Sequence, residues 1–535
     1  MRLLLLVLFC LNLSGCAYYF GNSWQNSFKN IPKTEDPTFG ERPKRVSNEE
    51  LKNHPLVIYS AQKELVRPET KRQRGPERLM MAKLVAGVDV EHVNNYLLES
   101  TPWGNSGTSG SLNPLGDYDF TPVILAAILY KFQDDTALLW PKTAAHIANV
   151  LLVEEGGKPH TKTPRTMRIM KDTENHILMT NISQYLKNQW LFAHGETGTE
   201  YNNLENGLEE FLLDNLEELN TTGQYEFNSK PYEAYTITAL LILHSYAASE
   251  TLQSKAKQVL DSWAWEYTQT SSDFRKSAPF RRRMQRFSST SLTDNASSSM
   301  MKAWYLEHEK GTFIVDEIQQ NRSHVLSALI YDYRPPAKIW KQDNSERLVF
   351  IGHGKKSSPE THSRGTGFLL SAGGFQRGEV SQLVARPIVL MLDDNANDLM
   401  QCFHINGSGK WQKWNNTGVH HRFAVGRSEV FVPSQYEAVD SIGNWKLYEP
   451  NADVSIVTYS LPEFGLIYLP KSKIELKELV KMNSNPTACM FHFGDGRSVE
   501  FDVKAPKGKW VITKVDGVEV NRKTDSWPRV RFELD

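Results

Sequence analysis

The spacing of apolar positions divides this chain into two textures. From Glu77 to about residue 340, apolar side chains recur every three or four positions, the pattern of helices that bury one face. The segments so marked are 78–99, 121–133, 136–154, 174–192, 203–219 and 231–248, followed by 252–268 and 298–331. No strand-like run interrupts them. After Tyr331 the pattern changes to short β-branched and aromatic runs separated by Gly, Asn, Asp and Pro, among them RLVFIG, GTGFLLSAGG, ARPIVLMLD, SIVTYSL and FGLIYLP. These read as antiparallel strands. The expected fold class is therefore α+β and multidomain, with a helical domain over 77–340 and an all-β domain over 345–535.

Ahead of the helices, residues 16–76 are polar and broken by Pro32, Pro37, Pro43, Pro55 and Pro68, which reads as a tether with little core. The start of the chain is different again. Arg2 precedes an apolar run from Leu3 to Leu11, too short to span a bilayer and suited to the core of a signal peptide over residues 1–15. The run leads into Leu13-Ser14-Gly15-Cys16, which resembles the bacterial lipobox at all four positions. That resemblance implies that Cys16 is lipidated and anchors the chain to a membrane of the bacterial envelope. Ala17 after the cysteine is similar to the sorting pattern for the outer membrane.

The chain has 535 residues, with 61 basic against 62 acidic, so no global field draws it to nucleic acid or to anionic lipid. Recognition of a charged partner must be local. Of the four cysteines, Cys10 belongs to the signal and Cys16 to the lipid, which leaves Cys402 and Cys489. They could form a disulfide in an oxidising compartment, stay as two buried thiols, or join His404 and His492 in a soft metal site. No Gly-rich phosphate loop or nucleophile elbow is present, and no metal or cofactor is expected.

The most unusual helix is TENHILMTNISQYLKN, residues 173–188. On a wheel of about 100° per residue, Leu178, Met179, Ile182, Leu186 and Trp190 share a core sector, with Ser183 and Lys187 on the far side. A third stripe, Glu174, Asn181, Tyr185 and Asn188, runs directly beside the core. Buried amides need partners, so the stripe implies a packed polar network or a wet cavity. Three other segments carry candidate chemistry. The loop TPWGNSGTSGSLNPLGDYDF holds Trp103, Asp117 and Asp119 ahead of a helix that Thr121 could cap. SKPYEAYTITALL places Tyr232 and Tyr235 on one face of a helix that Ser229 could cap. FRKSAPFRRRMQRF gathers Arg281, Arg282 and Arg283, whose guanidinium forks match carboxylates and sulfates.

Taken together, Glu174-Asn175-His176 at a helix start, the tyrosine pair rather more than fifty residues later, and helices followed by strands resemble the toroidal polysaccharide lyases, including the alginate, heparin and chondroitin lyases. The resemblance implies an (α/α) toroid of helical hairpins joined to an antiparallel β-sandwich, and β-elimination on an anionic, uronic-acid polysaccharide. It implies that Asn175 holds the substrate carboxylate and that His176 or a tyrosine takes a proton. Tyr232 or Tyr235 would return one, the arginines would bind the polymer, and Asn181, Tyr185 and Asn188 would line the cleft and bind sugar hydroxyls. The chain departs from the lyase pattern where Glu174 replaces the first asparagine and where Lys230, not an arginine, precedes the tyrosines. Two other readings stay open: a glycoside hydrolase pairing Glu174 with Asp117 or Asp119, and a non-catalytic glycan-binding lipoprotein.

The lipobox reading predicts that the mature protein partitions with membranes and that Cys16→Ser leaves it unprocessed or releases it. Fractionation with and without detergent checks this, and a processed wild type that is soluble without detergent would contradict it.

Overall fold

A computed structural model describes residues 48–67, 76–102, 120–163, 169, 171–224, 226–230, 232–282, 289–318, 320–341, 345–352, 357–376, 384–392, 396–406, 418–506, 509–520 and 527–534. Among these residues there are thirteen α-helices: α1 Asn48–Asn53, α2 Pro55–Ala61, α3 Glu77–Ala86, α4 Val90–Leu98, α5 Pro122–Phe132, α6 Pro141–His146, α7 Glu174–Ala193, α8 Leu208–Thr222, α9 Tyr232–Tyr246, α10 Glu250–Thr270, α11 Ala296–Lys310, α12 Arg322–Ile330 and α13 Leu476–Met482. Two of the long expected segments are split. Gly87, at φ +69°, ends α3 in the left-handed region that only glycine occupies without a Cβ penalty, and α4 follows. Gly311, at φ +73°, separates α11 from α12 in the same way. Thr121 does not cap α5: its own backbone is already helical, and Pro122 is simply the first residue. Nor does the Ser229 hydroxyl cap α9, for it has no hydrogen-bond partner among the described residues.

The helices of residues 48–330 share one apolar cluster. Helix α7 lies inside it, with α5, α8 and α9 packed around it. It is buried on nearly every side, so the far face expected to be solvated is not. Ser183 and Lys187 are both buried, and the Lys187 ammonium donates to the Leu152 carbonyl at 2.6 Å and pairs with Glu155 at 2.8 Å. The tether expectation also needs correction at its C-terminal end. Leu51, Leu56 and Val57 of α1 and α2 are buried in the main cluster, because these two short helices pack them against α3, while Ile58 and Tyr59 stay exposed.

From Arg347 onward the described chain is built from antiparallel strands, α13 excepted. A seven-stranded sheet runs in the order Val430–Phe431, Phe403–Ile405, Ile388–Leu392, Phe368–Ala372, Glu360–Gly365, Arg347–Ile351, Val530–Leu534. Its strands alternate between two buried faces. Leu348, Phe350, Leu370, Ile388 and Leu390 meet Val419, Ala424, Ile456 and Ile467 of a six-stranded sheet. Leu369, Val389 and Met391 point the other way, onto Ala278, Phe280 and Leu292 of the helical half. The chain is thus α+β.

The second face is a seam that also carries charge. Short strand Phe280–Arg281, unexpected in a helical region, pairs with Val384–Ala385 and stitches the halves together. Three arginines on neighbouring strands reach across. Arg347 donates to Gln269 Oε1 at 2.8 Å, Arg364 to the carbonyls of Thr268 and Ser271, and Arg529 to the Asn220 carbonyl at 2.9 Å and Ser262 Oγ at 2.7 Å. Arg529 also pairs with Glu266.

The two remaining cysteines do not bond to each other. Cys402 is a buried thiol at the seam, whereas Cys489 is a part-buried thiol beside the four-stranded sheet that begins with Met490–His492. Different cores hold them apart, which removes both the disulfide and the shared metal site. Among the described residues no helix is long and apolar enough to cross a membrane.

Arg529 is nearly fully buried and Glu266 mostly so, and removing one partner strands the other charge. Arg529→Ala is expected to destabilise the protein by on the order of 3 kcal/mol, read as a lower denaturant midpoint with the helical and strand-rich halves separating earlier in the transition.

Candidate functional site

The polar stripe of α7 is a packed network. Asn181 has no exposed surface; its Oδ1 accepts the His160 N–H at 2.8 Å, and its Nδ2 donates to the His160 carbonyl at 2.8 Å and to Ile177 O at 2.7 Å. Asn188 repeats the pattern at Gly156, accepting its N–H at 3.0 Å and donating to its carbonyl at 3.1 Å. Gln184, between them, donates to the Glu155 carbonyl at 2.9 Å. Tyr185 donates from its hydroxyl to Glu209 Oε2 at 3.2 Å. The expectation that Asn181, Tyr185 and Asn188 bind sugar is therefore overturned. The two asparagines satisfy an irregular segment, residues 155–160, that has no sheet or helix of its own to do so, and Tyr185 is tied to Glu209 of α8.

At the N-terminal end of α7 the arrangement is different. Asn228, at φ +45°, donates to the Ser277 carbonyl at 2.9 Å and the Pro279 carbonyl at 2.5 Å, binding the loop before α9 to the loop after α10. That contact sets Glu226 against the basic loop. Its carboxylate is fully buried and takes Arg281 Nε at 2.9 Å, Arg282 Nε at 2.9 Å and a further bond from the Arg282 guanidinium. Burial works to raise the Glu226 carboxyl, but Arg281 and then Arg282 outweigh it and hold it at about 2. Glu226 also donates its backbone N–H to Glu174 Oε1 at 2.8 Å. Glu174 has the opposite environment: burial first, and the Glu226 charge second, push its carboxyl up to about 7. Its Oε2 is buried without a hydrogen-bond partner among the described residues.

Arg281 and Arg282 were expected to hold a polyanion. Arg281 is buried and engaged with Glu226, so it cannot form an open binding surface. Arg282 is bonded to the same carboxylate but keeps a part-exposed edge, and its guanidinium lies 4.7 Å from the centre of the Tyr232 ring. Trp103, Asp117, Asp119 and Arg283 lie outside the described residues.

The remaining candidates do come together. Asn175 is fully buried; its Oδ1 accepts from Thr173 Oγ1, while its Nδ2 has no partner among the described residues. His176 packs edge-on against Phe120 at 5.1 Å, and Phe120 in turn meets Tyr235 at 4.5 Å. The His176 ring is part-exposed yet surrounded by protein on most sides, and this burial lowers it to about 4, so it is neutral at pH 7. Tyr232 and Tyr235 lie 6.5 Å apart, ring to ring. His324 and Arg78 complete the surroundings of Tyr235, at 4.9 Å and 5.2 Å.

Sequence reasoning missed Glu226, Phe120, His324 and Arg78. Each comes from a separate element, and no local spacing links them to α7. It also missed the pair His160–Asp172, 3.0 Å apart, although Asp172 stands just before the Thr173-Glu174-Asn175-His176 motif. A separate cavity of about 320 Å³ lies in the strand-rich half, lined in part by His420, His421, Arg422, Tyr468 and Lys473. Two of its cations are paired, Arg422 with Glu346 and Arg497 with Asp516, and it has no counterpart to the amide, imidazole and phenol grouping at α7. Compared with known proteins, the chain matches no family, and no curated protein is significantly similar to it.

The two carboxyls give opposite dependences on pH. Glu174, raised from 4.5 to about 7, binds a proton more tightly when folded, so its unfavourable contribution is absent below pH 4.5 and complete above pH 7. Glu174→Gln keeps the acceptor oxygen and should stabilise the protein above pH 7, by at most on the order of 3 kcal/mol, with no gain at pH 4.5. Glu226, lowered from 4.5 to about 2, contributes stability above pH 4.5 that is lost as pH falls toward 2. Glu226→Gln should lower stability at neutral pH by roughly 3–5 kcal/mol, because it leaves two guanidinium groups without their carboxylate. Denaturation midpoints across pH measure both.

Proposed function

We propose that the protein is an envelope lipoprotein, anchored through Cys16 to the outer membrane, that cleaves an anionic uronic-acid polysaccharide by β-elimination. In this reading the helical half is an (α/α) toroid of helical hairpins and the strand-rich half a β-sandwich. Support for the two-layer part comes from the apolar cluster shared by the six- and seven-stranded sheets. The observation that carries the chemistry is the amide nitrogen of Asn175, a buried donor without a partner among the described residues. Leaving such a donor unsatisfied costs about 1–3 kcal/mol, a strain that is relieved when a ligand supplies the acceptor.

The acceptor is the substrate carboxylate. As the proton at C5 leaves, charge accumulates on that carboxylate, and the Asn175 amide with the nearby Arg282 guanidinium favours the charged state over the ground state. The electrons of the C5–H bond become the C4–C5 double bond while the C4–O4 bond breaks. The departing oxygen takes a proton from a tyrosine hydroxyl, Tyr232 being the one beneath the Arg282 cation. An imidazole near the α7 start receives the C5 proton, and solvent exchange restores both groups. No external water or oxidant enters the balance.

The hydrolase reading has one observation in its favour, the raised carboxyl of Glu174, which is suited to a general acid. The partners expected for it, Asp117 and Asp119, lie outside the described residues. Glu226, the acid beside Glu174, has both oxygens bound by guanidinium groups and cannot activate water.

Incubating the mature protein with a panel of uronic-acid polysaccharides should generate the ultraviolet absorbance of an unsaturated uronate. Asn175→Ala and Tyr232→Phe should each lower turnover roughly 10²- to 10⁴-fold. New reducing ends without the chromophore would support the hydrolase, and binding without either product would support a glycan-binding role.

A further inference from the structure

We infer that the imidazole taking the substrate proton is His160, held in place by Asp172 and by the amide stripe of α7, a role that rests on the lyase reading above. His160 comes from the irregular segment before α7 and has no motif of its own. Its position is nevertheless fixed at both the backbone and the ring. Asn181 grips the peptide groups on either side of its Cα, accepting from the N–H at 2.8 Å and donating to the carbonyl at 2.8 Å. The ring bonds through Nε2 to Asp172 Oδ2 at 3.0 Å. Asp172 is itself buried and oriented, since its Oδ1 accepts the Thr173 N–H at 3.0 Å.

This arrangement leads directly to the proposed carboxylate donor. Thr173, which binds Asp172 through its backbone, binds Asn175 through its hydroxyl. Base, orienting acid and carboxylate donor are thus linked by consecutive hydrogen bonds around the first turn of α7. With the Nε2 proton directed at Asp172, the neutral imidazole carries its lone pair on Nδ1, which has no hydrogen-bond partner among the described residues. The His160 side chain is 15% exposed, whereas Asp172 is 6% exposed. The ring is thus mostly enclosed but not sealed, and its Nε2 side is held by a carboxylate, the relation found where a third group orients a base.

His176 is worse placed for the task. Its ring packs edge-on against Phe120, and gaining a proton there would put a charge into a desolvated site near Arg282. At His160 the charge that develops as the C5 proton arrives on Nδ1 faces the Asp172 carboxylate across the ring. The proton then leaves through the part of the ring that is not enclosed. The stripe of Asn181, Gln184 and Asn188 thereby acquires a functional reason: it holds residues 155–160 in register so that the imidazole arrives at the start of α7. Asp172 and Asn181 act through His160 and are positioning residues.

The test compares His160→Gly with His176→Gly in the full chain, each assayed for unsaturated product with and without added imidazole. His160→Gly should fall roughly 10²- to 10⁴-fold in turnover and recover in proportion to imidazole, while His176→Gly should show no such recovery. Circular dichroism and the thermal midpoint confirm that each variant is folded, and His160→Asn serves if the glycine variant is not. Nitrogen-15 spectra of histidine-labelled protein should contain a neutral ring with its proton on Nε2 that disappears in His160→Gly and loses that preference in Asp172→Asn. A folded His160 variant at the wild-type rate, a loss that imidazole does not restore, rescue confined to His176→Gly, or a proton on Nδ1 would each overturn the assignment. A wild type that yields no unsaturated product from any polymer would instead reject the lyase reading and this role with it.

Discussion

A carboxylate with no exposed surface, Glu226, bound by two guanidinium groups, is the contact on which the candidate site depends. An ion pair taken out of water recovers its desolvation only through close geometry and additional hydrogen bonds. Here Arg281 and Arg282 supply both, and the backbone N–H of Glu226 extends the arrangement to Glu174 at the start of α7. The start of α7, the loop before α9, the loop after α10 and the short strand pair Phe280–Arg281 with Val384–Ala385 all meet at this one point. The pairing also decides what the basic loop can do. Arg281 serves the interior, while Arg282 keeps one part-exposed edge beside Tyr232.

Helix α7 shows the same economy in neutral groups. Its amides hold an extended segment that could not otherwise be buried, and in doing so they convert an irregular stretch of chain into a positioned one. One helix therefore has two distinct parts: its first turn carries buried polar atoms of Glu174 and Asn175 without partners among the described residues, and the turns that follow fix the chain beside them. A helix buried on nearly every side is suited to this, because the side chains of its stripe cannot relax into solvent.

Periodicity made the large divisions legible. The change near Tyr331 from three-to-four spacing to short β-branched runs marks where helices give way to strands, because each pattern reflects which face is buried. The stripe itself was visible as well, but not its purpose. Asn181 and Asn188 bond to backbone at His160 and Gly156, and a wheel records directions within a helix, not what stands opposite. Glu226 was invisible for a related reason. It lies in a polar connection, and its burial follows from Arg281 and Arg282, more than fifty residues away. Tyr232 and Tyr235 were singled out by residue type and helical spacing and Asn175 and His176 by resemblance, and the structure places all four at the starts of two neighbouring helices. Leu51, Leu56 and Val57 were missed because prolines and charges around them masked a short buried face.

The seam has a mechanical consequence. Arg529, Arg347 and Arg364 belong to adjacent strands at one edge of the sheet, and all three reach α8, α10 or the turn that follows α10. A hinge needs one line of contacts that survives while the rest separate, and here opening in any direction breaks charge-assisted bonds along the whole edge at once. The strand pairing between Phe280–Arg281 and Val384–Ala385 fixes a further point away from that edge. Motion therefore falls to side chains and connecting segments rather than to clamshell opening of the two halves.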